Sequence, residues 1–273
     1  MGRVTAVAWP AQAGLAAALA EAADRAAPFP GIGPLPDRPI RLVLAPTRAR
    51  LDSMTRGRLP SWSEGAAFPE RGTVVLLSDR PGIDLSGALR HELAHVALRW
   101  RVGGGRSLPL WFEEGYAAVA AGEWDRLDAL KLNWQVARGV QPDLDELDRD
   151  LRADREDATT AYALATTAVL LLQRWGGRDG LAPLIDRLSR EPTFDAALRD
   201  TYHVTEGDFE TRWQRDVQTR YGWLGWASAA GLFWALLGLA LVWLVRLRRR
   251  RDAVRRAGLD VGWVIPEDDE PTP

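Results

Sequence analysis

The chain has 273 residues, of which 47% are hydrophobic and 26% are charged, and this composition excludes a disordered or collagen-like protein. It contains no cysteine, which excludes disulfide bonds, thiolate metal sites and cysteine nucleophiles. The formal net charge is −2, so the overall charge gives no reason to expect a nucleic-acid partner.

The first 39 residues are predicted to form a helix followed by a linker. The alanine-rich stretch 14–27 is typical of an amphipathic helix, and we expect residues 1–27 to be helical. Five prolines and two glycines between Pro28 and Pro39 disfavour regular structure, so this segment is predicted to be extended.

The central part of the chain is predicted to begin with strands and to continue with helices. Short apolar runs at 40–44 and 73–77 predict two strands, and residues 51–72 between them are predicted to be irregular. After Asp84 the apolar residues recur with a helical period. The candidate helices lie near 85–101, 110–122, 124–138, 158–176, 178–190 and 205–220.

A transmembrane helix is predicted at 221–245. These 25 residues carry no charge, and a membrane-spanning helix needs about 20 apolar residues. Tryptophans lie near both ends of the run, as is typical of membrane interfaces, and seven arginines follow at 246–256. The positive-inside rule then places residues 246–273 in the cytoplasm and the residues before 221 outside it.

This orientation requires an export signal, and the first twenty residues fit one poorly. Pro10 and Gln12 interrupt a weak apolar run. A signal peptide at this position, a start upstream of Met1, and a tail anchor that leaves the domain in the cytoplasm are the alternatives. The arginine block opposes the tail anchor, so we expect a single-pass protein of the cell membrane with its folded domain outside the cytoplasm.

The residues most indicative of chemistry are His91-Glu92-Leu93-Ala94-His95. Two histidines four residues apart face the same side of a helix, so both imidazoles can bind one metal ion. Glu92 is rotated by about 100° from His91 and can reach a metal-bound water without binding the metal. A catalytic zinc ion needs a third protein ligand and keeps a fourth position for water. The alternative is a buried histidine pair without metal.

A second segment, Trp111–Ala117, offers candidates for the third ligand. It is an apolar helical stretch with two adjacent carboxylates, Glu113 and Glu114, and a carboxylate among aromatic residues needs a partner or a solvated face. Eighteen residues separate His95 from Glu114. This spacing leaves room for a turn at Gly103–Gly105 and an antiparallel second helix.

These two segments resemble the gluzincins, zinc metallopeptidases with two motif histidines and a glutamate on the next helix. Residues 40–220 as a whole resemble the minimal members of that family, the peptidase MA-like proteins. In the family the glutamate directly before a glycine is the ligand, which selects Glu114 over Glu113. The resemblance therefore implies Zn²⁺ bound by His91, His95 and Glu114, with Glu92 as the general base for a metal-activated water.

The sequence also departs from the gluzincin pattern. No glycine-asparagine motif follows His95, and the strand region lacks the acidic motif that binds a substrate α-amine, so aminopeptidase activity is not implied. Ala118 occupies the position where some gluzincins have a carboxylate that orients a ligand. The partner that orients His91 or His95 is therefore unassigned.

Two weaker predictions concern substrate contacts. Minimal family members often have a tyrosine where Tyr162 begins an apolar helix, and its hydroxyl could donate to the oxyanion of the reaction. An aromatic residue packed in the core is an equally good interpretation. Gluzincins also run a substrate-binding edge strand before the metal helix, where residues 65–69 and 73–77 lie, although a plain core strand fits them equally well.

We predict an α+β fold in which a short strand region precedes a mainly helical gluzincin-like domain and one C-terminal transmembrane helix. The divisions are an N-terminal helix and linker (1–39), the metallopeptidase-like domain (40–220), the transmembrane helix (221–245) and an arginine-rich cytoplasmic tail (246–273). The predicted function is that of a membrane-anchored zinc metallohydrolase, an endopeptidase acting on peptides or proteins. The alternative is a membrane-anchored binding or sensor protein that keeps the fold without catalysis. Nothing in the sequence indicates an oligomeric state.

Overall fold

The computed structural model divides the chain into two compact units, Met1–Trp223 and Leu224–Pro273. The first unit contains a mainly helical α+β fold with one small sheet. The residues that the structure describes are 2–57, 59–60, 63–79, 85–123, 143–152, 155–221, 234–246 and 248–249.

The sheet has four strands, β1 (Val4–Val7), β2 (Ile40–Ala45), β3 (Gly65–Phe68) and β4 (Thr73–Leu77). Their order is β1-β2-β4-β3, in which β1, β2 and β4 are parallel and β3 is antiparallel to β4. Within the described part of the chain, β3 therefore forms one edge of the sheet, and β4 is a core strand.

Both faces of the sheet are covered, because alternate side chains of a strand point to opposite sides. Leu42 and Leu44 of β2 belong to the main core, which the helices α1 (Ala13–Asp24) and α3 (Leu85–Val102) help to form. Ala45 faces the other way and packs with Leu51 of α2 (Arg48–Thr55). The two predicted strands are thus found at their expected places.

The N-terminal residues contribute to this sheet, and the prediction of a helix over 1–27 is wrong for its first part. Val4–Val7 is a strand that pairs with Ile40–Val43, and the helix begins only at Ala13, after a short 3-10 turn. Residues 51–72 are likewise more regular than predicted, because they include the end of α2, β3 and a 3-10 turn at Pro69–Arg71.

The proline-rich segment 28–39 is held against the helical core. Phe29 is 2% exposed, and the guanidinium of Arg90 lies 4.8 Å from the centre of its ring. Arg90 also donates hydrogen bonds to the carbonyl oxygens of Ala27 and Pro28, and the hydroxyl of Tyr116 donates to that of Pro30 at 2.9 Å. The segment is not extended throughout, because it turns back at 29–33, where the backbones of Phe29 and Gly33 form two hydrogen bonds with each other. It is anchored on the helices that carry the candidate site.

The remaining helices surround a cluster of buried aromatic side chains. Trp111 of α4 (Leu110–Ala121) stacks on Phe209 with their ring centres 5.6 Å apart, and it meets Phe194 edge to face. The helices after α4 are α5 (Leu144–Asp150), α6 (Arg155–Trp175), α7 (Ala182–Leu188), α8 (Phe194–Tyr202) and α9 (Glu206–Tyr221), with a 3-10 turn at Gly177–Asp179. The helix predicted near 124–138 lies outside the described residues.

The fold prediction is wrong in its transmembrane helix. Within the described ranges, no helix is both long and apolar enough to cross a membrane. Tyr221, the first residue of the predicted span, is the last residue of the charged helix α9. Residues 222–233 lie outside the described part. The predicted location outside the cytoplasm, which depended on this span, is not tested by the structure.

Candidate metal centre

His91 and His95 lie on one face of α3, as their spacing predicts. The opposite side of the helix is buried through Leu89, Leu93 and Val96, which fixes its rotation against the core. The two imidazole ring centres are 5.0 Å apart, and each histidine side chain is 14% exposed. Both rings are therefore close enough to share a ligand.

Helix α4 brings Glu114 to the two histidines. Asp148 of α5 accepts hydrogen bonds from the backbone N–H groups of Leu110 and Trp111 at 3.1 and 2.7 Å, so it caps the first turn of α4. Gly115 allows α4 to lie close to α6, because a Cβ atom there would come within 2.5 Å of the Ala165 carbonyl oxygen. The contact with Asp148 fixes the start of α4 against α5, and Gly115 fixes the distance between α4 and α6.

The three candidate ligands converge on one point. Glu114 Oε2 is 3.4 Å from His91 Nε2 and 3.6 Å from His95 Nε2, and the three ligand atoms all lie within 4.8 Å of one another. Ligand atoms about 2.0–2.1 Å from a tetrahedral zinc ion are about 3.3 Å apart. The donor set and its spacing therefore fit a zinc ion, and among the described residues this is the one such cluster of three.

Glu113 points to a different partner. Its carboxylate accepts two hydrogen bonds from the guanidinium of Arg99, one of them from Nε at 3.2 Å. Burial raises the pKa of Glu113, and the nearby charge of Arg99 opposes that rise. The adjacent glutamates thus face different groups, and Glu114 is the one beside the histidines.

Glu123 supplies a contact to His91 that sequence reasoning missed. Its carboxylate oxygens are 3.1 and 3.2 Å from His91 Nδ1, which leaves His91 Nε2 facing Glu114. Gly122 ends α4 in the left-handed conformation, and Glu123 follows it. An acidic residue just after a helix-ending glycine was the one local signal, and the contact itself depends on how α3 and α4 pack.

Glu92 lies beside the cluster and against the edge strand. A Cβ atom at Gly65 of β3 would come within 2.8 Å of Glu92 Oε1, so the carboxylate is next to the strand backbone. Burial raises the pKa of Glu92, although the charges of His95 and His91 oppose the rise. Glu92 is thus placed between the histidines and β3, as a base acting on a bound peptide would need to be.

Tyr162 of α6 faces the same site. Its ring centre is 6.5 Å from that of His91, and burial, together with the charge of Glu114 and a hydrogen bond to it, raises the pKa of its hydroxyl. The hydroxyl therefore stays protonated at neutral pH, with Glu114 as its hydrogen-bond partner.

Glu114 and the two histidines shift one another's pKa values. Burial works to lower the pKa of His91 and of His95, but interactions with Glu114, and at His91 also with Glu123, outweigh it and raise both values. Burial works to raise the pKa of Glu114, yet the charge of His95 and hydrogen bonds from both imidazoles hold it well below its usual range. In the metal-free chain, Glu114 therefore favours the protonated forms of the two histidines.

These side chains line a cavity of about 910 Å³. Gly65, Ala66 and Ala67 of β3 line it together with the three candidate ligands. Glu92, Glu113, Glu123 and Tyr162 also line it. Every residue predicted for the site is thus present in one cavity, next to an edge strand.

Comparison with known proteins agrees with this geometry. A family model described as the peptidase MA superfamily matches residues 31–219, which include the cluster and every described residue lining the cavity. The match covers more than two thirds of the chain and confirms the resemblance seen in the motif residues. No curated protein matches the chain.

Proposed function

The chain belongs to the peptidase MA superfamily, and from that premise we propose that it is a zinc-dependent endopeptidase. The observation that carries the proposal is the position of Glu114 Oε2, 3.4 Å and 3.6 Å from the Nε2 atoms of two histidines on the neighbouring helix. The three residues line one cavity and would supply the three protein ligands that a catalytic zinc site uses beside a water molecule.

His91, His95 and Glu114 would hold the metal through Nε2, Nε2 and a carboxylate oxygen. Zinc bound there supplies a Lewis acid that polarises a carbonyl group and makes a bound water more acidic. Glu123 supports this assignment, because a carboxylate at His91 Nδ1 keeps a proton on that atom and leaves Nε2 free to bind the ion.

Glu92 is proposed as the general base. Its carboxylate lies between the histidine face of α3 and the backbone of β3, where it can accept a proton from the attacking water. The same carboxyl group then gives that proton to the nitrogen of the leaving amine. Tyr162 is proposed to donate its hydroxyl hydrogen to the oxygen that gains negative charge when the carbonyl carbon is attacked.

The substrate is proposed to be an extended polypeptide paired with β3. Edge strands have free backbone N–H and C=O groups, and adding a peptide strand satisfies them without regard to most side chains. Three residues of β3 line the cavity beside Glu92, so a paired peptide would pass the candidate base. Binding through the backbone on both sides of a bond suits an endopeptidase.

The test compares variants of the full chain, depleted of metal and then reconstituted with zinc. The wild type should bind about one zinc ion per chain and cleave casein, and His91→Ala should do neither. Glu92→Gln should keep the zinc and lose about 10²–10⁴-fold in rate. Folded wild-type protein that takes up no zinc would exclude the metal site. Zinc binding with no cleavage beyond that of Glu92→Gln would favour a binding protein that retains the fold.

A further inference from the structure

A second cavity of about 900 Å³ adjoins the candidate active site. Ala67, Pro69 and Arg99 line both cavities, so the two are neighbours along β3 and α3. The second cavity is rich in arginine, and we refer to it as the arginine cleft. The arginines that line it are Arg38, Arg56, Arg71, Arg99 and Arg106.

Most of this positive charge is not neutralised by carboxylates. Arg99 is bound to Glu113, and Glu70 is the single carboxylate among the described residues that line the cleft. Arg56 and Arg71 are exposed, and neither forms an ion pair within the described part of the chain. In a protein whose net charge is −2, the cleft thus concentrates unpaired positive charge.

The walls of the cleft are held in place by specific contacts. The indole N–H of Trp100 donates to the Pro69 carbonyl oxygen at 2.7 Å, and the guanidinium of Arg38 lies 5.4 Å from the centre of the Trp100 ring. Arg106 donates hydrogen bonds to three carbonyl oxygens at 189–191. Arg56 ends α2 in the left-handed conformation, with its backbone N–H bonded to the Asp52 carbonyl oxygen, so its backbone is fixed at the rim of the cleft.

The edge strand connects the cleft to the candidate base. Gly65, at the start of β3, lies against Glu92, while Phe68 and Pro69 at its far end line the arginine cleft. Four residues of strand at about 3.3 Å each separate Gly65 from Pro69, a distance of about 13 Å. An extended peptide paired with β3 would therefore reach the cleft three or four residues away from the bond that faces Glu92.

We propose that the arginine cleft is a substrate subsite that binds aspartate or glutamate side chains three or four residues from the cleaved bond. The inference rests on the proposed peptidase function and adds a substrate class to it: extended polypeptides with an acidic segment beside the cleavage site. A polypeptide is favoured over a nucleic acid because the cleft continues from the strand edge, where backbone pairing would place a peptide.

The test measures binding, so it does not depend on turnover. The full chain with Glu92→Gln is mixed with three fluorescent twelve-residue peptides of the same apolar centre. The peptides differ only at the third and fourth positions on each side of the central bond. These positions are all glutamate in the first peptide, all glutamine in the second and all lysine in the third. At low salt the glutamate peptide should bind about ten-fold more tightly than the glutamine peptide, and the lysine peptide should bind most weakly. Raising the salt to about 0.5 M should remove most of the preference.

Charge reversal tests whether the preference for the glutamate peptide depends on the arginine cleft. Adding Arg56→Glu and Arg71→Glu should abolish or invert it, whereas Arg215→Glu, at an exposed arginine of α9 that lines neither cavity, should leave it unchanged. If the double reversal unfolds the chain, as circular dichroism would show, Arg56→Gln with Arg71→Gln replaces it and should still remove most of the ten-fold difference.

Several results would overturn the proposal. These are equal binding of the glutamate and glutamine peptides, and a glutamate preference that survives removal of Arg56 and Arg71. The third is that a single-stranded DNA oligonucleotide binds more tightly than the glutamate peptide and that its binding is lost in the same variants. Failure of the proposed function looks different: the glutamate peptide would bind in the cleft, and the zinc-loaded wild type would cleave none of the three peptides.

Discussion

At the scale of single residues, two adjacent glutamates on α4 contact different groups. A shift of one position turns a side chain by about 100° around a helix, so Glu114 faces the histidines while Glu113 faces Arg99. We predict that Glu114→Gln loses most zinc binding. Glu113→Gln should keep the zinc but lower the free energy of unfolding by about 1–3 kcal/mol, because the partly buried Arg99 loses its charged partner. Zinc content and urea unfolding measure the two effects. Equal zinc loss in both variants would contradict this assignment.

The contact between Glu123 and His91 is a second residue-scale feature with a measurable effect. Carboxylates that hold a histidine ligand by its other nitrogen typically contribute 10–100-fold to metal affinity. Glu123→Ala should therefore weaken zinc binding by about that factor, as measured by competition with a chelating dye. Glu64→Gln is the matched control, since Glu64 lines the same cavity and is not part of the metal cluster. Equal affinities of Glu123→Ala and the wild type would show that His91 is oriented by its packing alone.

At the scale of the elements, the site depends on the close approach of α4 and α6. A Cβ atom at Gly115 would meet the Ala165 carbonyl oxygen at 2.5 Å and the Val169 side chain at 2.8 Å, so Gly115→Ala must push the two helices apart. We expect this substitution to cost about 1–3 kcal/mol of stability and to weaken zinc binding, because Glu114 moves with α4.

A second helical glycine provides the control for that prediction. A Cβ atom at Gly87 of α3 would meet nothing within 4 Å. Gly87→Ala should therefore stabilise the protein by about 0.5–1 kcal/mol, since alanine favours a helix more than glycine does. Thermal unfolding and zinc titration of both variants distinguish crowding at the α4–α6 contact from a general effect of replacing glycine. Destabilisation of the same size at both positions would contradict the role given to Gly115.

At the scale of the whole molecule, the sequence predicted the elements with strong local patterns. The helices of the metal motif begin at Leu85 and Leu110, as expected, and β2 and β4 lie where branched apolar runs predicted them. Residues 4–7 were missed as a strand, and residues 65–68 were indicated as a strand only by the family resemblance. Both segments have only four residues, and 65–68 is made mostly of glycine and alanine. They become strands by pairing with β2 and β4, which local patterns do not reveal.

The candidate site was predictable as far as its motif extends. The histidine spacing and the glutamate before Gly115 follow from helix periodicity and from family resemblance, and both segments meet in the folded chain. The contacts of Glu123 and Asp148 were not predictable, since they join residues 32 and 37–38 positions apart through the packing of whole helices. The predicted membrane span is not found, since none of the helices in the described ranges is long and apolar enough to cross a membrane.

Because the site joins helices that are central to the core, zinc should stabilise the entire folded unit. Zinc at about 1,000 times its Kd contributes about 4 kcal/mol, which for a unit of this size raises Tm by about 8–16 °C. We predict that a chelator lowers the Tm of the wild type by this amount at pH 8 and leaves the Tm of His91→Ala unchanged. Differential scanning calorimetry measures both.

The gap in Tm between zinc-loaded and chelated protein should narrow from pH 8 to pH 6. Because the pKa of His91 is raised in the folded chain, protonated His91 stabilises the metal-free fold. This stabilisation is complete below the ordinary pKa of 6.5 and is lost as the pH rises through the raised pKa. The pKa of Glu114 is lowered, so its contribution to stability is complete above its ordinary pKa of 4.5. That contribution therefore does not change between pH 6 and pH 8. The chelated chain is thus more stable at pH 6 than at pH 8, while protons compete more strongly with zinc for the histidines. A gap that stays constant or widens toward pH 6 would contradict the charge coupling between His91 and its two carboxylate neighbours.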